Sequence, residues 1–251
     1  MRLVLSAAVA LLPGLGLGAE APLRFSIADS WTMPLVHIED NQPTQGILYD
    51  MIQSLARQVG SPVEFHVIAR LRLQAAMERG DVDVRCYAAQ SWLPGLSGDY
   101  IWSLPLITQR DYLVARADNT TPVDPATLAP QNIGAVLGYS YPTLQGQFDK
   151  GQLLRDDARS QYQVLEKLRA GRYRYAISSQ FSLNWFNQQQ PPGQQLHSVA
   201  FLEEQRLGCY VRNDPKVPVQ RILRTLLRMK MSGEIDQIIA HYTSATEPPP
   251  P

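Results

Sequence analysis

The chain has 251 residues, enough for one large domain or two modest ones, and 45% of them are apolar. Its 23 Lys and Arg balance 23 Asp and Glu, so the formal net charge is zero. That balance, with no basic stretch interleaved with aromatics, argues against nucleic acid or a polybasic membrane contact as a partner.

Met1-Arg2 leads into an apolar run, Leu3 to Leu12, then Pro13-Gly14 and small residues ending in Ala19-Glu20-Ala21. A charged start, a short apolar stretch and an A-x-A pattern read as a secretory signal over residues 1–21; the run is too short to span a bilayer. A periplasmic protein is therefore expected. The remaining cysteines are Cys86 and Cys209. An even count in an exported chain permits one disulfide, with two buried thiols as the alternative.

Leu23 to Ile27 alternates as a first strand, followed by a loop, Asp29 to Pro34, that carries Trp31. After Gly46, the apolar residues Ile47, Met51, Ile52, Leu55 and Val59 share one helical face, and Gly60 stops the helix. Val63 to Ile68 reads as a strand, Leu71 to Arg79 as a short helix, and Val82 to Tyr87 as a strand after Gly80. This β-α-β-α-β order is that of a parallel sheet with helices packed on it. Tyr112 to Ala115 is a strand leaving the unit, and Asp118 to Pro130 is a polar connector.

Ile133 to Leu137 forms the next strand, ending in Gly138-Tyr139-Ser140-Tyr141, and Pro142 suits the first turn of a helix. The helix around Tyr162, Leu165 and Leu168 stops at Gly171 and leads into a strand from Tyr173 to Ile177. That junction repeats the one at Gly80, which suggests two α/β lobes and a cleft between them. A short helix from Ser182 to Asn187, a returning strand from Leu207 to Val211 and two amphipathic helices complete the chain before a proline-rich tail.

In order and spacing these pieces resemble bacterial periplasmic solute-binding proteins of the polar-amino-acid type, family 3, from Leu23 to Tyr242. The resemblance rests on several short segments. They are the Trp31 loop with Pro34, the turn Gly46 to Asp50, Gly80-Asp81-Val82-Asp83, Ser103 to Leu106, Ile133 to Gly138, and Lys230 to Ile235.

The resemblance implies a type II two-lobed α/β fold, each lobe a sheet flanked by helices, joined by crossing strands near Tyr112 to Arg116 and Glu203 to Leu207. Lobe 1 would hold residues 22–113 and 204–245 and lobe 2 residues 114–203, with a disordered tail at 246–251. The same fold makes the strands of Cys86 and Cys209 near neighbours, so a bridge needs only a suitable Cα separation. Ligand is expected between lobes that close by hinge motion, held by loops at the carboxyl ends of the parallel strands.

Two family anchors are missing. The Arg that holds an α-carboxylate has no counterpart in Gln90 to Leu96, and the Asp that holds an α-ammonium is replaced by Ser179. A buried carboxylate without a guanidinium lacks its strongest donors, and a hydroxyl supplies no countercharge. A standard α-amino acid is therefore not the expected ligand. Trp31 stands where the family presents an aromatic wall. Arg70 replaces a stacking aromatic and suits an anion or a ring face. Tyr87, Gln90 and Ser91 complete a lobe 1 wall, while Gly138, Tyr139 and Ser140 offer amides and a hydroxyl to an oxyanion. Arg85 reads as the partner of Asp83 in an ion pair.

The four histidines, His37, His66, His197 and His241, show no metal-ligand spacing, and no nucleophile elbow, P-loop or dinucleotide fingerprint occurs. No catalytic residue, metal or cofactor is expected. The reading is a monomeric binding protein that captures a small polar solute and delivers it to an ABC-type importer, its membrane permease. The alternatives are an orphan binding protein serving a membrane sensor, and an enzyme similar to cyclohexadienyl dehydratases.

Overall fold

The computed structural model describes residues 21–93, 95 and 98–243. The secretory signal, apart from Ala21, and the tail at 246–251 lie outside the described residues.

In chain order the elements are β1 (Leu23–Ala28), β2 (His37–Glu39), β3 (Gln42–Gln45), α1 (Ile47–Val59), β4 (Val63–Ile68), α2 (Leu73–Arg79), β5 (Val84–Ala88) and β6 (Tyr100–Trp102). Then come β7 (Ile107–Ala115), β8 (Gln131–Val136), α3 (Pro142–Asp149), β9 (Leu153–Ala158), α4 (Gln161–Arg169) and β10 (Tyr175–Ser179). The chain closes with α5 (Gln180–Gln188), β11 (His197–Arg212), α6 (Val219–Met231) and α7 (Glu234–Thr243). α1 buries the face its spacing predicts, and Gly60 ends it in the left-handed conformation, φ 85°. Gly80 and Gly171, at φ 76° and 77°, close α2 and the turn after α4 in the same way. Gly46 has a steric duty as well: a Cβ there would stand 2.6 Å from the Leu35 carbonyl oxygen.

The strand order is β4-β1-β5-β11-β7-β10-β8-β9, with β6 pairing on β11 beside this path. β1, β4 and β5 run parallel in one lobe, and β8, β9 and β10 run parallel in the other. β7 and β11 join them. β11 pairs antiparallel with β5 from Gly208 to Val211 and with β7 from His197 to Leu207, while β7 also pairs with β10. In the first lobe Phe25, Ile27, Leu48, Ile52, Ile222 and Leu226 form a core between sheet and helices, and Met77, Val82 and Tyr210 fill a second cluster. In the other lobe Leu113, Ile133, Leu144 and Tyr175 make one cluster, and Val164, Leu168 and Phe186 another. Burial of such apolar area is what holds each lobe together, at about 25 cal/mol per Å² removed from water.

Both crossing strands extend beyond their expected limits, and Arg116 falls just outside β7. Cys86 and Cys209 face each other across β5 and β11 and are joined by a disulfide. Asp83, buried at the start of β5, receives Arg24 Nη2 at 2.6 Å and Arg212 Nη2 at 2.9 Å. Among the described residues no helix is long and apolar enough to cross a membrane.

Candidate ligand cleft between the lobes

The cleft is built around an irregularity in β5. Cys86 pairs with Cys209 and Ala88 with Gly208, so Tyr87 is an extra residue opposite the bond between them. Its φ is 59°, left-handed backbone that a bulky side chain rarely adopts. A bulge of this kind re-aims side chains at a strand end and stores local strain where a site needs it. Tyr87 thereby lines the cleft, with its hydroxyl donating to Gln109 Oε1 and its ring meeting the Trp31 edge, centroids 5.8 Å apart.

Lobe 1 adds Ser30, Arg70, Arg85 and Trp92; the crossing strand β7 adds Gln109 and Asp111. Lobe 2 brings Tyr139, Ser140 and Tyr141 from the turn after β8, with Gln161, Ile177, Ser179 and Ser182. Arg155 braces that turn by donating to the carbonyls of Tyr139, at 2.9 Å, and Val136, at 2.8 Å. The lobes touch across the opening: Ser30 Oγ lies 3.3 Å from Tyr139 Oη, and the Arg70 guanidinium sits 5.8 Å from the Tyr139 ring centroid. The structure is therefore a closed arrangement, with the two lobes in contact across the mouth of the cleft.

The charges in this space are few. Arg85 is only 2% exposed; its Nη1 donates to Tyr210 Oη at 3.3 Å, and its Nε has no hydrogen-bond partner among the described residues. Burial draws the Arg70 guanidinium down to about 10, and the positive charge of Arg85 adds to the effect. Asp111 is 7% exposed. Burial pushes its carboxyl up to about 7 against the hydrogen bond from Gln109 Nε2, and the neighbouring Glu203 adds to the rise. Tyr87 and Tyr139 are raised by burial as well and stay neutral hydrogen-bonding groups near pH 7.

Of the residues proposed from sequence, Trp31, Arg70, Tyr87, Tyr139, Ser140 and Ser179 lie together on the cleft wall. Ser179 Oγ is engaged as the cap of α5, accepting from Ser182 N at 3.2 Å. Gln90 and Ser91 stand elsewhere, exposed on a short turn after β5, where Ser91 Oγ donates to Gln205 Oε1 at 3.1 Å. Gly138, also proposed, is not among the residues lining the cleft; it packs against the other lobe, where a Cβ would meet Leu71 Cδ2 at 2.7 Å. The expected Asp83–Arg85 ion pair does not form, because Arg24 and Arg212 occupy Asp83 and Arg85 turns into the cleft.

Sequence reasoning missed Asp111 and Gln109. The sequence reading began this strand only at Tyr112, whereas β7 starts at Ile107 and buries Gln109 and Asp111 on its inner side, where an apolar residue would be ordinary. Among the described residues no group of three or more His, Cys, Asp or Glu side chains is placed to hold a metal ion.

The sequence model of bacterial extracellular solute-binding proteins, family 3, matches residues 24–245. The chain belongs to that family. Known structures agree in fold. An ancestral arginine-binding protein bound to arginine superimposes with a TM-score of 0.73 at 18% identity, covering 89% of this family member and 98% of the other chain. A histidine kinase sensor domain with similarity to periplasmic binding proteins gives 0.72 at 19%, covering 90% and 98%. An ancestral amino-acid-binding protein, a precursor of cyclohexadienyl dehydratase, gives 0.69 at 16%, covering 90% and 96%. At such identities the likeness establishes the fold, the type II two-lobed arrangement, and leaves the ligand to the residues of the cleft. No curated protein sequence matches the chain.

Proposed function

We propose that this family member is a periplasmic binding protein that closes on a small polar solute, other than a standard α-amino acid, and delivers it to an ABC-type importer. The observation that carries the reading is the polar make-up of the cleft. Ser179, at the position expected to hold an ammonium, spends its hydroxyl on capping α5, and Asp111 is half-neutralised near pH 7 by its burial. An α-ammonium would find weak countercharge here.

Calorimetry against the twenty amino acids is the test for ligand class, with no submicromolar binding expected; one such binder would end this part of the reading. X-ray scattering tests the motion. A solute that copurifies, identified by native mass spectrometry, should reduce the radius of gyration of the stripped protein when restored. An unchanged radius on restoring that solute would end the binding-protein reading.

The likeness to a kinase sensor domain supports a second reading, in which the closed form signals to a membrane receptor. Crosslinking of the closed form to its native membrane separates the two. Capture of a permease with its ATPase supports delivery, and capture of a kinase supports signalling.

A further inference from the structure

Arg85 presents an unusual electrostatic situation. It is 2% exposed, yet among the described residues it makes no ion pair and its Nε has no acceptor; its contacts there are a hydrogen bond from Nη1 to Tyr210 Oη at 3.3 Å and the Tyr210 ring, whose centroid lies 5.9 Å from the guanidinium. Its strand neighbour Asp83 is committed to Arg24 and Arg212. Arg70 lines the same cleft and makes no ion pair among the described residues; its guanidinium lies 5.8 Å from the Tyr139 ring centroid, and the positive charge of Arg85 adds to the burial that depresses its ionisation. Two like charges on one cleft wall repel, and a buried cation without a counterion is strongly disfavoured. Asp111 faces the same cleft, but Gln109 holds its Oδ1 at 2.8 Å and neither arginine binds it.

Around these cations stand Trp31, Tyr87 and Tyr139, flat apolar surfaces that a ring can lie against. From this geometry we infer that the cleft takes a small oxyanion carrying a flat apolar body, its oxyanion between Arg85 and Arg70 and its body against the Trp31–Tyr87 wall. The inference rests on the solute-binding reading above and names the chemical class of its ligand. A carboxylate and a phosphonate share the required chemistry; a guanidinium fork pairs with either through parallel N–H donors. The bound anion would supply the acceptor that Arg85 Nε lacks and cancel the repulsion between the arginines.

The test uses the full mature protein, stripped of copurifying solute. Benzoate, phenylacetate and phenylphosphonate are titrated by calorimetry, with benzamide as the uncharged control. At least one anion should bind, at least about tenfold more tightly than benzamide. The carboxylate and phosphonate arms decide which oxyanion is preferred. Arg85→Gln should abolish the preference for the anion and leave the unliganded protein as stable as the wild type, or more so. Arg70→Gln should weaken the anion by at least about tenfold and covers the case in which the Arg85 variant fails to fold.

Equal binding of benzamide and benzoate, absence of any anion binding, or undiminished anion binding in a folded Arg85→Gln variant would each overturn the assignment. Identification of a neutral or cationic copurifying solute that compacts the protein would overturn it too, while leaving the solute-binding reading intact. If no solute compacts the protein, both fail.

Discussion

Asp111 sets burial against charge at a single residue. Its carboxyl ionises near 7 where 3.8 is ordinary, because burial on β7 disfavours the anion and Glu203 on β11 disfavours it further. Gln109 opposes this with one hydrogen bond. The other titratable groups around the cleft are Tyr87 from β5, Tyr139 and Tyr141 after β8, and the two arginines of lobe 1. A folded-state value above the unfolded one means that the native protein binds more protons between the two, so stability declines as pH rises from about 4 to about 7. Asp111→Asn should therefore raise the unfolding free energy near pH 8 by about 1–3 kcal/mol and leave it unchanged near pH 4. Urea denaturation at the two pH values is the check; an equal effect at both would contradict the argument. The reason Arg85 escaped sequence reading lies at this scale too. An Asp two residues away is its obvious partner, but that Asp is claimed by residues 59 and 129 positions distant, which only the folded sheet brings near.

The same Asp83 organises three strands. Arg24 of β1 and Arg212 of β11 converge on it, and Arg212 also reaches Asp214 at 2.6 Å. Burial alone would raise the Asp83 carboxyl, but the hydrogen bonds from Arg24 and Arg212 outweigh it and hold its pKa below the ordinary value. Its contribution is thus present above the unfolded value of 3.8 and lost as pH falls through the lower folded value. Asp83→Asn should cost about 1–3 kcal/mol at neutral pH, since it removes the charged acceptor shared by Arg24 and Arg212 while Arg212 keeps Asp214, and should flatten the acid limb of stability. Thermal melts from neutral to acid pH would show it.

Helices and parallel strands were legible in the sequence because apolar spacing and glycine stops report them directly, α1 from Ile47 to Val59 above all. β9 was not. Arg155, Asp156 and Asp157 break its alternation, and it lies at the sheet edge, where charge protects against unwanted pairing. The β2–β3 hairpin is equally hidden: it buries little, and its turn rests on Asp40 and Asn41 at positive φ. In the cleft, Trp31, Arg70 and the turn at Tyr139 were read from position along the chain. Gln109 and Asp111 required knowing which side of β7 faces the other lobe.

Across the whole molecule, two crossing strands carry the mechanical connection, and a disulfide ties one of them to β5. Cys86 and Cys209 are 123 residues apart in sequence, so the bridge removes much freedom from the unfolded chain. Replacing both by Ser should lower stability by about 2–5 kcal/mol, measured by denaturant unfolding against the unreduced wild type. An unchanged midpoint would show that strand pairing alone holds this junction.

The bridge also fixes where bending cannot occur. Beyond Cys209, β11 is welded to the first lobe; between Ser198 and Glu203 its pairing with β7 is already interrupted by register shifts. If the lobes rotate as the binding-protein reading requires, the rotation falls on that short stretch, a torsion bar with the bulge at Tyr87 anchored beside its stiff end. Glu203 and Asp111 pair side by side on that bar. On the binding-protein reading proposed above, a twist of that bar would change how closely two carboxyl groups approach, and solute affinity is then expected to vary with pH near 7, which calorimetry at pH 6 and pH 8 would show.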